Sequence, residues 1–123
     1  MGKFEVKSSG KGFSFNLLAS NGQVVATSQV YKSLRTAKIG MASVAKNAPI
    51  AAVEDQTAEP VEKKPMPKFE VYTDKAQKTR FRLRAKNGQI IVVGEAYETA
   101  KACFAGVESV RKNAVDAKMA MAS

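Results

Sequence analysis

The chain has 123 residues, 45% of them hydrophobic and 25% charged, so it holds enough apolar material for a modest core. Twenty Lys and Arg against eleven Asp and Glu give a net charge of +9, histidine and tryptophan are absent, and there is one cysteine. Ser-His-Asp and Cys-His catalysis, histidine-metal sites, thiolate zinc cages and internal disulfides are thereby excluded.

The amino terminus, Met1-Gly2-Lys3-Phe4-Glu5-Val6-Lys7, has charges at positions 3, 5 and 7 and no apolar run of the kind a signal peptide needs. Val6 also breaks a myristoylation pattern. The longest apolar runs, Pro49 to Val53 and Gln89 to Gly94, fall far short of the ~20 residues of a membrane span. These features, with a lone Cys103, predict a cytoplasmic chain with no membrane partner.

Sliding the sequence against itself exposes an internal repeat. Lys3-Phe4-Glu5-Val6 recurs as Lys68-Phe69-Glu70-Val71, and Phe13 to Ala48 matches Thr79 to Ala114 at an offset of 66, with 13 of 36 positions identical. Two copies are too few for an open solenoid, so the units are expected to close on each other as an intramolecular pseudo-dimer within a monomeric chain. The predicted layout is a first repeat at residues 1–53, a linker at 54–67 and a second repeat at 68–123.

Within each copy, Phe4 and Val6 and then Phe13, Phe15, Leu17 and Ala19 alternate with more polar neighbours, the period-2 signature of half-buried strands. Asn21-Gly22 and Asn87-Gly88 separate alternating runs and predict tight type I′ hairpins, with third strands over Val24 to Ser28 and Ile90 to Gly94. Ser33 and Thr99 stand as N-caps of helices over Leu34 to Asn47 and Ala100 to Asn113. Their small apolar stripes include Gly40 and Gly106, a pair that predicts close approach of each helix backbone to the sheet. Ile50 to Val53 and Lys118 to Ala122 are candidate fourth strands. Glu54 to Pro67, with three prolines and four acidic residues, reads as a flexible linker. Net charge is +6 over residues 1–53, −2 over 54–67 and +5 over 68–123, so the basic character belongs to the folded units.

The phenylalanine-rich strand, the Asn-Gly-Gln turn, the tyrosine before the helix and the helical pattern Gly-x-x-Ser-Val-x-Lys-Asn-Ala occur in both copies. The helical pattern stands at Gly40 to Ala48 and again at Gly106 to Ala114. This combination resembles the YegP-like family of small bacterial proteins and covers nearly the whole chain outside the linker. The resemblance implies an α+β fold: tandem β-β-β-α-β repeats in one continuous antiparallel sheet, both helices on one face, the last strands exchanged between units. It implies no function, because the family is one of unknown function.

The sharpest candidate for chemistry is Thr79-Arg80-Phe81-Arg82-Leu83-Arg84-Ala85-Lys86. With Phe81, Leu83 and Ala85 in the core, alternation projects Arg80, Arg82, Arg84 and Lys86 from the opposite face, about 7 Å apart. Such a row suits the phosphates of a nucleic-acid strand. The plainer reading is a solvated face, partly neutralised by Glu70 or Glu95 across the sheet. Copy one carries Ser14, Asn16, Leu18 and Ser20 at the same places, so the row does not belong to the repeat as such.

Cys103 aligns with Ala37 and is expected as a buried packing residue rather than a reactive thiol. Tyr31 and Tyr97 are expected to close the strand-to-helix corners. Lys46-Asn47 and Lys112-Asn113 read as ordinary helix ends rather than anion sites. No phosphate-binding glycine loop, metal-ligand cluster or carboxylate pair stands out, so neither cofactor nor metal is expected. The expected function is a non-enzymatic binding or interaction module, with non-specific nucleic-acid binding through the basic strand as the alternative.

Overall fold

The computed structural model describes residues 2–121. The chain folds as α+β, with one eight-stranded sheet and two helices. The first repeat supplies β1 (Lys3–Ser9), β2 (Gly12–Leu18), β3 (Val24–Thr27), α1 (Leu34–Asn47) and β4 (Ala52–Asp55). The second supplies β5 (Lys68–Thr73), β6 (Thr79–Arg84), β7 (Ile90–Val93), α2 (Ala100–Ala114) and β8 (Lys118–Met121). Ala122 of the expected last strand lies outside the described residues.

The strand order is β4-β5-β6-β7-β3-β2-β1-β8. The two antiparallel meanders meet at the centre through Thr27 of β3 and Val93 of β7. Each fourth strand crosses to the other repeat, β4 lying parallel to β5 and β8 parallel to β1. The sheet is therefore mixed, which corrects the expectation of a wholly antiparallel one. The parallel pairs join strands of different repeats, and β4 reaches β5 through residues 56–67, a connection long enough for the crossover that a parallel pair requires.

Alternation builds the core. Phe15, Leu17, Val6, Phe69, Val71, Phe81 and Leu83 are fully buried, and α1 and α2 add Ala37, Val44, Cys103, Val107 and Val110. Both helix starts follow the sequence expectation. The Ser33 hydroxyl accepts from the Thr36 amide, Thr36 reciprocates at the Ser33 amide, and the Thr99 hydroxyl accepts from the Ala102 amide.

One local expectation is corrected and a second is given its immediate cause. The hairpins are not type I′: Gly22 and Gly88 alone take positive φ, 87° in each case, while Asn21 and Asn87 do not. The Gly22 amide donates to the Ala19 carbonyl, and the Asn21 side chain accepts from the Gln23 amide at 3.0 Å. This is a three-residue loop ending in a left-handed glycine, in which asparagine serves through its side chain and leaves the positive φ to glycine. The second concerns the helix glycines, where the closest neighbour is a tyrosine ring and, at Gly106, Phe81 of the sheet stands just beyond it. A Cβ on Gly40 would stand 2.7 Å from Cζ of Tyr31, and one on Gly106 would stand 2.7 Å from Cζ of Tyr97. The glycines make room for tyrosine rings, each stacked on a core phenylalanine, Tyr31 on Phe15 and Tyr97 on Phe81. Each tyrosine also pairs by backbone with the start of the second strand, Tyr31 with Phe13 and Tyr97 with Thr79.

Candidate binding surfaces: the basic strand and the clefts between repeats

Alternation along β6 leaves Phe81 and Leu83 buried and Arg80, Arg82 and Arg84 half-buried, as their spacing predicts. These arginines are already engaged. Arg82 Nε donates to Glu70 Oε1 at 2.5 Å, Arg84 Nε donates to the same oxygen at 2.7 Å, and the Arg82 guanidinium lies 4.6 Å above the Tyr72 ring. Arg84 also donates to the Gly88 carbonyl, and Arg80 donates to the Gly94 carbonyl and stands 3.9 Å from Asp74. Lys86 alone is exposed, in the turn after the strand. The four residues therefore do not form a free row of charge. Of the two carboxylates expected opposite them, Glu70 makes the contacts, sitting directly across from Arg82 in the strand register.

Glu70 belongs to a longer buried chain of charge. Lys68 Nζ stands 2.8 Å from Glu54 and 3.4 Å from Glu70, and Glu54 also accepts from Gln56 at 2.7 Å and from the Lys64 amide at 2.8 Å. Glu54 is 2% exposed. These donors hold its carboxyl at about 2, the Lys68 hydrogen bond being the largest cause. The Glu54 bond in turn raises the Lys68 ammonium above 10.5, against the opposing effect of burial. For Glu70, burial pushes the carboxyl up, but Arg82 and Arg84 together outweigh it and hold it below its ordinary value. Glu54 was placed in the linker by sequence, and only the crossing of β4 onto β5 brings it opposite Glu70 and beside Lys68.

Cys103 is buried, and loss of hydration pushes its thiol up to about 11, so it is not a nucleophile at neutral pH. Asn47 and Asn113 are buried and donate back to the carbonyl and hydroxyl of Ser43 and Ser109, which accounts for them as helix-end structure.

Sequence reading missed two clefts, because each is assembled from both repeats. The larger, about 600 Å³, opens between α1 and the β6–β7 hairpin, lined by Tyr31, Ile39, Ser43, Asn87, Gln89 and Ile90 among others. Its counterpart, about 480 Å³, opens between α2 and the β2–β3 hairpin, with Asn21, Ser109, Lys112 and Asp116 in its wall. Asn21 corresponds to Asn87 and Ser43 to Ser109 across the repeat, so the clefts are related by the pseudo-two-fold. The first is richer in isoleucine, and the second carries charge. Their one sequence signal was the identity of the Asn-Gly-Gln turns and helix serines in both copies. In the larger cleft, burial raises the Tyr31 phenol, a shift that the Gln29 hydrogen bond opposes.

No helix among the described residues is long and apolar enough to cross a membrane, and none of them form a cluster of three or more potential metal ligands. The sequence pattern of a domain of unknown function, DUF1508, matches residues 8–55 and again residues 74–120. The UPF0339 protein YegP of Yersinia pestis is 38% identical over 114 residues, 92% of this chain and 88% of that one. A UPF0339 protein of Treponema denticola is 64% identical over 50 residues, 41% of this chain and 86% of that one, so that relative is about one repeat long. Among solved structures, that of yegP from E. coli, a protein of unknown function, matches with a TM-score of 0.77 at 32% identity over 98% of this chain and 91% of that one. A UPF0339 protein of Shewanella oneidensis matches with a TM-score of 0.77 at 29% identity over 98% and 90% of the two chains.

Proposed function

This chain belongs to the DUF1508 family, uncharacterised proteins whose domain it carries twice, and from that premise we propose that it is a non-enzymatic binding module whose ligand-facing surface is the pair of clefts between its repeats. In this reading both helices cover one face of the sheet, the other stays open, and the monomeric chain works in the cytoplasm.

The observation that carries the reading is the larger cleft. Its volume of about 600 Å³ lies within the roughly 300–1,000 Å³ of ligand pockets. Ile39, 61% exposed, and Ile90, 38% exposed, stand at it, one from each repeat. A few amide and hydroxyl side chains accompany them, the mixture of apolar wall and sparse polar groups that binding sites use. The groups with displaced proton affinities support the non-enzymatic side of the reading. Glu54, Lys68 and Glu70 are tied into ion pairs, Cys103 is buried, and the Tyr31 phenol is shifted away from neutrality.

Amide chemical-shift mapping against a fragment and short-peptide library tests this. Shifts clustering at Ile39, Asn87 and Ile90, and abolished by Ile90→Asp, are expected; shifts clustering elsewhere overturn the assignment. Nucleic-acid contact through Arg80, Arg82, Arg84 and Lys86 is the competing reading, and it rests on charge alone. Titration of oligonucleotides at two salt concentrations, with the Arg80, Arg82 and Arg84 triple-alanine variant alongside, separates the two.

A further inference from the structure

Net positive charge is distributed unequally once ion pairs are counted. Every ion pair found among the described residues lies between Glu54 and Arg111. Residues 1–53 hold seven cations against the single carboxylate Glu5, and none of these cations is paired among the described residues. The larger share of unpaired charge therefore lies on the repeat that the sequence did not single out, although Lys75, Lys86, Lys101, Lys112 and Lys118 of the second repeat also stand outside these pairs.

Part of it borders an apolar track. On the outer side of α1, Arg35, Lys38, Ile39, Ala42 and Lys46 are exposed. One depression of about 550 Å³ runs over Leu34, Arg35, Lys38, Ile39 and Ala42. A second, about 370 Å³, lies between α1 and β8, lined by Lys38, Met41, Ala42, Ala45, Ala117 and Met119 among others. They share Lys38 and Ala42 and so form one track. From Leu34 to Ala45 it runs roughly 16 Å at ~1.5 Å per residue, about three helical turns.

The same side of α2 shows that the track is not a general property of the repeat. Ala42 corresponds to Glu108 and Ala45 to Arg111, and these two pair at 2.7 Å. Arg111 also lies over the Phe69 ring and donates to the Ala51 carbonyl. On α2 the places of Ala42 and Ala45 are filled by this ion pair, although Lys101 and Lys112, the counterparts of Arg35 and Lys46, stand outside any ion pair among the described residues; the α1 face instead presents a low alanine floor between cations.

We infer that the α1 face of the first repeat docks an acidic amphipathic helix of a partner protein. The alanines let a helix backbone come close, Ile39 and the 42%-exposed Met119 offer apolar contact, and Arg35, Lys38 and Lys46 meet carboxylates on its flanks. A nucleic-acid strand fits less well, since the exposed residues of the track include no aromatic ring for base stacking. A lipid surface fits less well too, because Ile39 and Met119 are too few for an inserted apolar face. The inference rests on the reading of the chain as an interaction module but assigns a surface that shares only Ile39 with the larger cleft.

The test is fluorescence anisotropy with a labelled synthetic peptide of about four helical turns, leucines on one face and glutamates on the other, beside a scrambled peptide of identical composition. Micromolar binding of the patterned peptide is expected, weakening several-fold from low to physiological salt. Ala42→Glu, which places on α1 the residue α2 already carries, and Lys38→Glu each weaken it by about tenfold. Lys101→Glu on α2 and Ile90→Asp in the cleft leave it unchanged. Circular dichroism melts verify that Ala42→Glu stays folded. Absence of binding, equal binding of the scrambled peptide, or insensitivity to Ala42→Glu overturns the inference. So does tighter binding of an oligonucleotide or an anionic vesicle through the same residues. Peptide failure with cleft shifts retained removes this face alone; loss in Ile90→Asp but not in Ala42→Glu moves the peptide to the cleft.

Discussion

The two edges of the sheet are built from equivalent strands by different means. At one edge, β4 lies on β5 and buries Glu54 beside Lys68, Glu70 and, beyond them, Arg82 and Arg84. At the other, β8 lies on β1 with Ala120 opposite Glu5, and the positions of Arg82 and Arg84 are taken by Asn16 and Leu18, both buried. Lys3, the counterpart of Lys68, is exposed. The same backbone pairing thus carries a buried ion-pair chain at one edge and an alanine in the place of Glu54 at the other. What differs is sensitivity: a buried charge left without its partner is far more costly than a lost alanine contact.

Mutations that strike this difference have the largest expected effect. Glu54→Ala or Lys68→Ala strands a buried charge and is expected to cost about 3–5 kcal/mol in urea unfolding. Lys3→Ala, at the equivalent place on the other edge, is expected to stay within about 0.5 kcal/mol. Equal losses at both edges would erase the distinction.

The edges also separate by pH. Ionised Glu54 is the hydrogen-bonded form, so its stabilisation is complete above its ordinary 4.5 and is lost as pH falls toward about 2. The raised Lys68 contributes the opposite limb, present below 10.5 and lost as pH climbs above it. Glu54→Gln is expected to flatten the acid limb of wild-type stability in thermal melts across that range, while Glu5→Gln leaves it in place.

Next in size are the tyrosine corners, where the two repeats agree. Gly40→Ala and Gly106→Ala push a methyl into the ring of Tyr31 or Tyr97, and each is expected to cost about 1–3 kcal/mol. Tyr31→Phe in the Gly40→Ala background removes the hydroxyl that the methyl meets first and is expected to recover part of the loss. Arg111→Ala sharpens the contrast between the helices. It removes the tie from α2 to the Ala51 carbonyl and the contact with Phe69, for an expected loss of about 1–2 kcal/mol. Ala45, its counterpart on α1, has no such tie to lose. The smallest effect belongs to Lys86→Ala, which is exposed and expected to change stability by less than about 0.5 kcal/mol, against a measurable loss for Arg82→Ala.

Most of the fold was legible in the residues. Period-2 alternation from Phe13 to Ala19 located the second strands, and Ser33 and Thr99 began the helices where they were expected. The repeat itself announced two equivalent units, which the two matches of one domain pattern bear out. The candidate site was only half legible. Alternation placed Arg80, Arg82 and Arg84 on the face opposite the core and left Glu70 or Glu95 open as the neutralising carboxylate; that Glu70 alone holds both Arg82 and Arg84 was not written in their spacing.

Local pattern determined the elements of this protein, because alternation, capping and turn chemistry act over a few neighbouring residues and are written into consecutive positions. Tertiary structure decided the crossing of β4 and β8, the burial of Glu54, the two clefts between repeats and the unpaired charge of α1. Each of these depends on which distant strand or helix comes alongside, over sequence separations that propensity does not read. An ion pair such as Glu54 with Lys68, fourteen residues apart across parallel strands, exists only once the sheet has assembled.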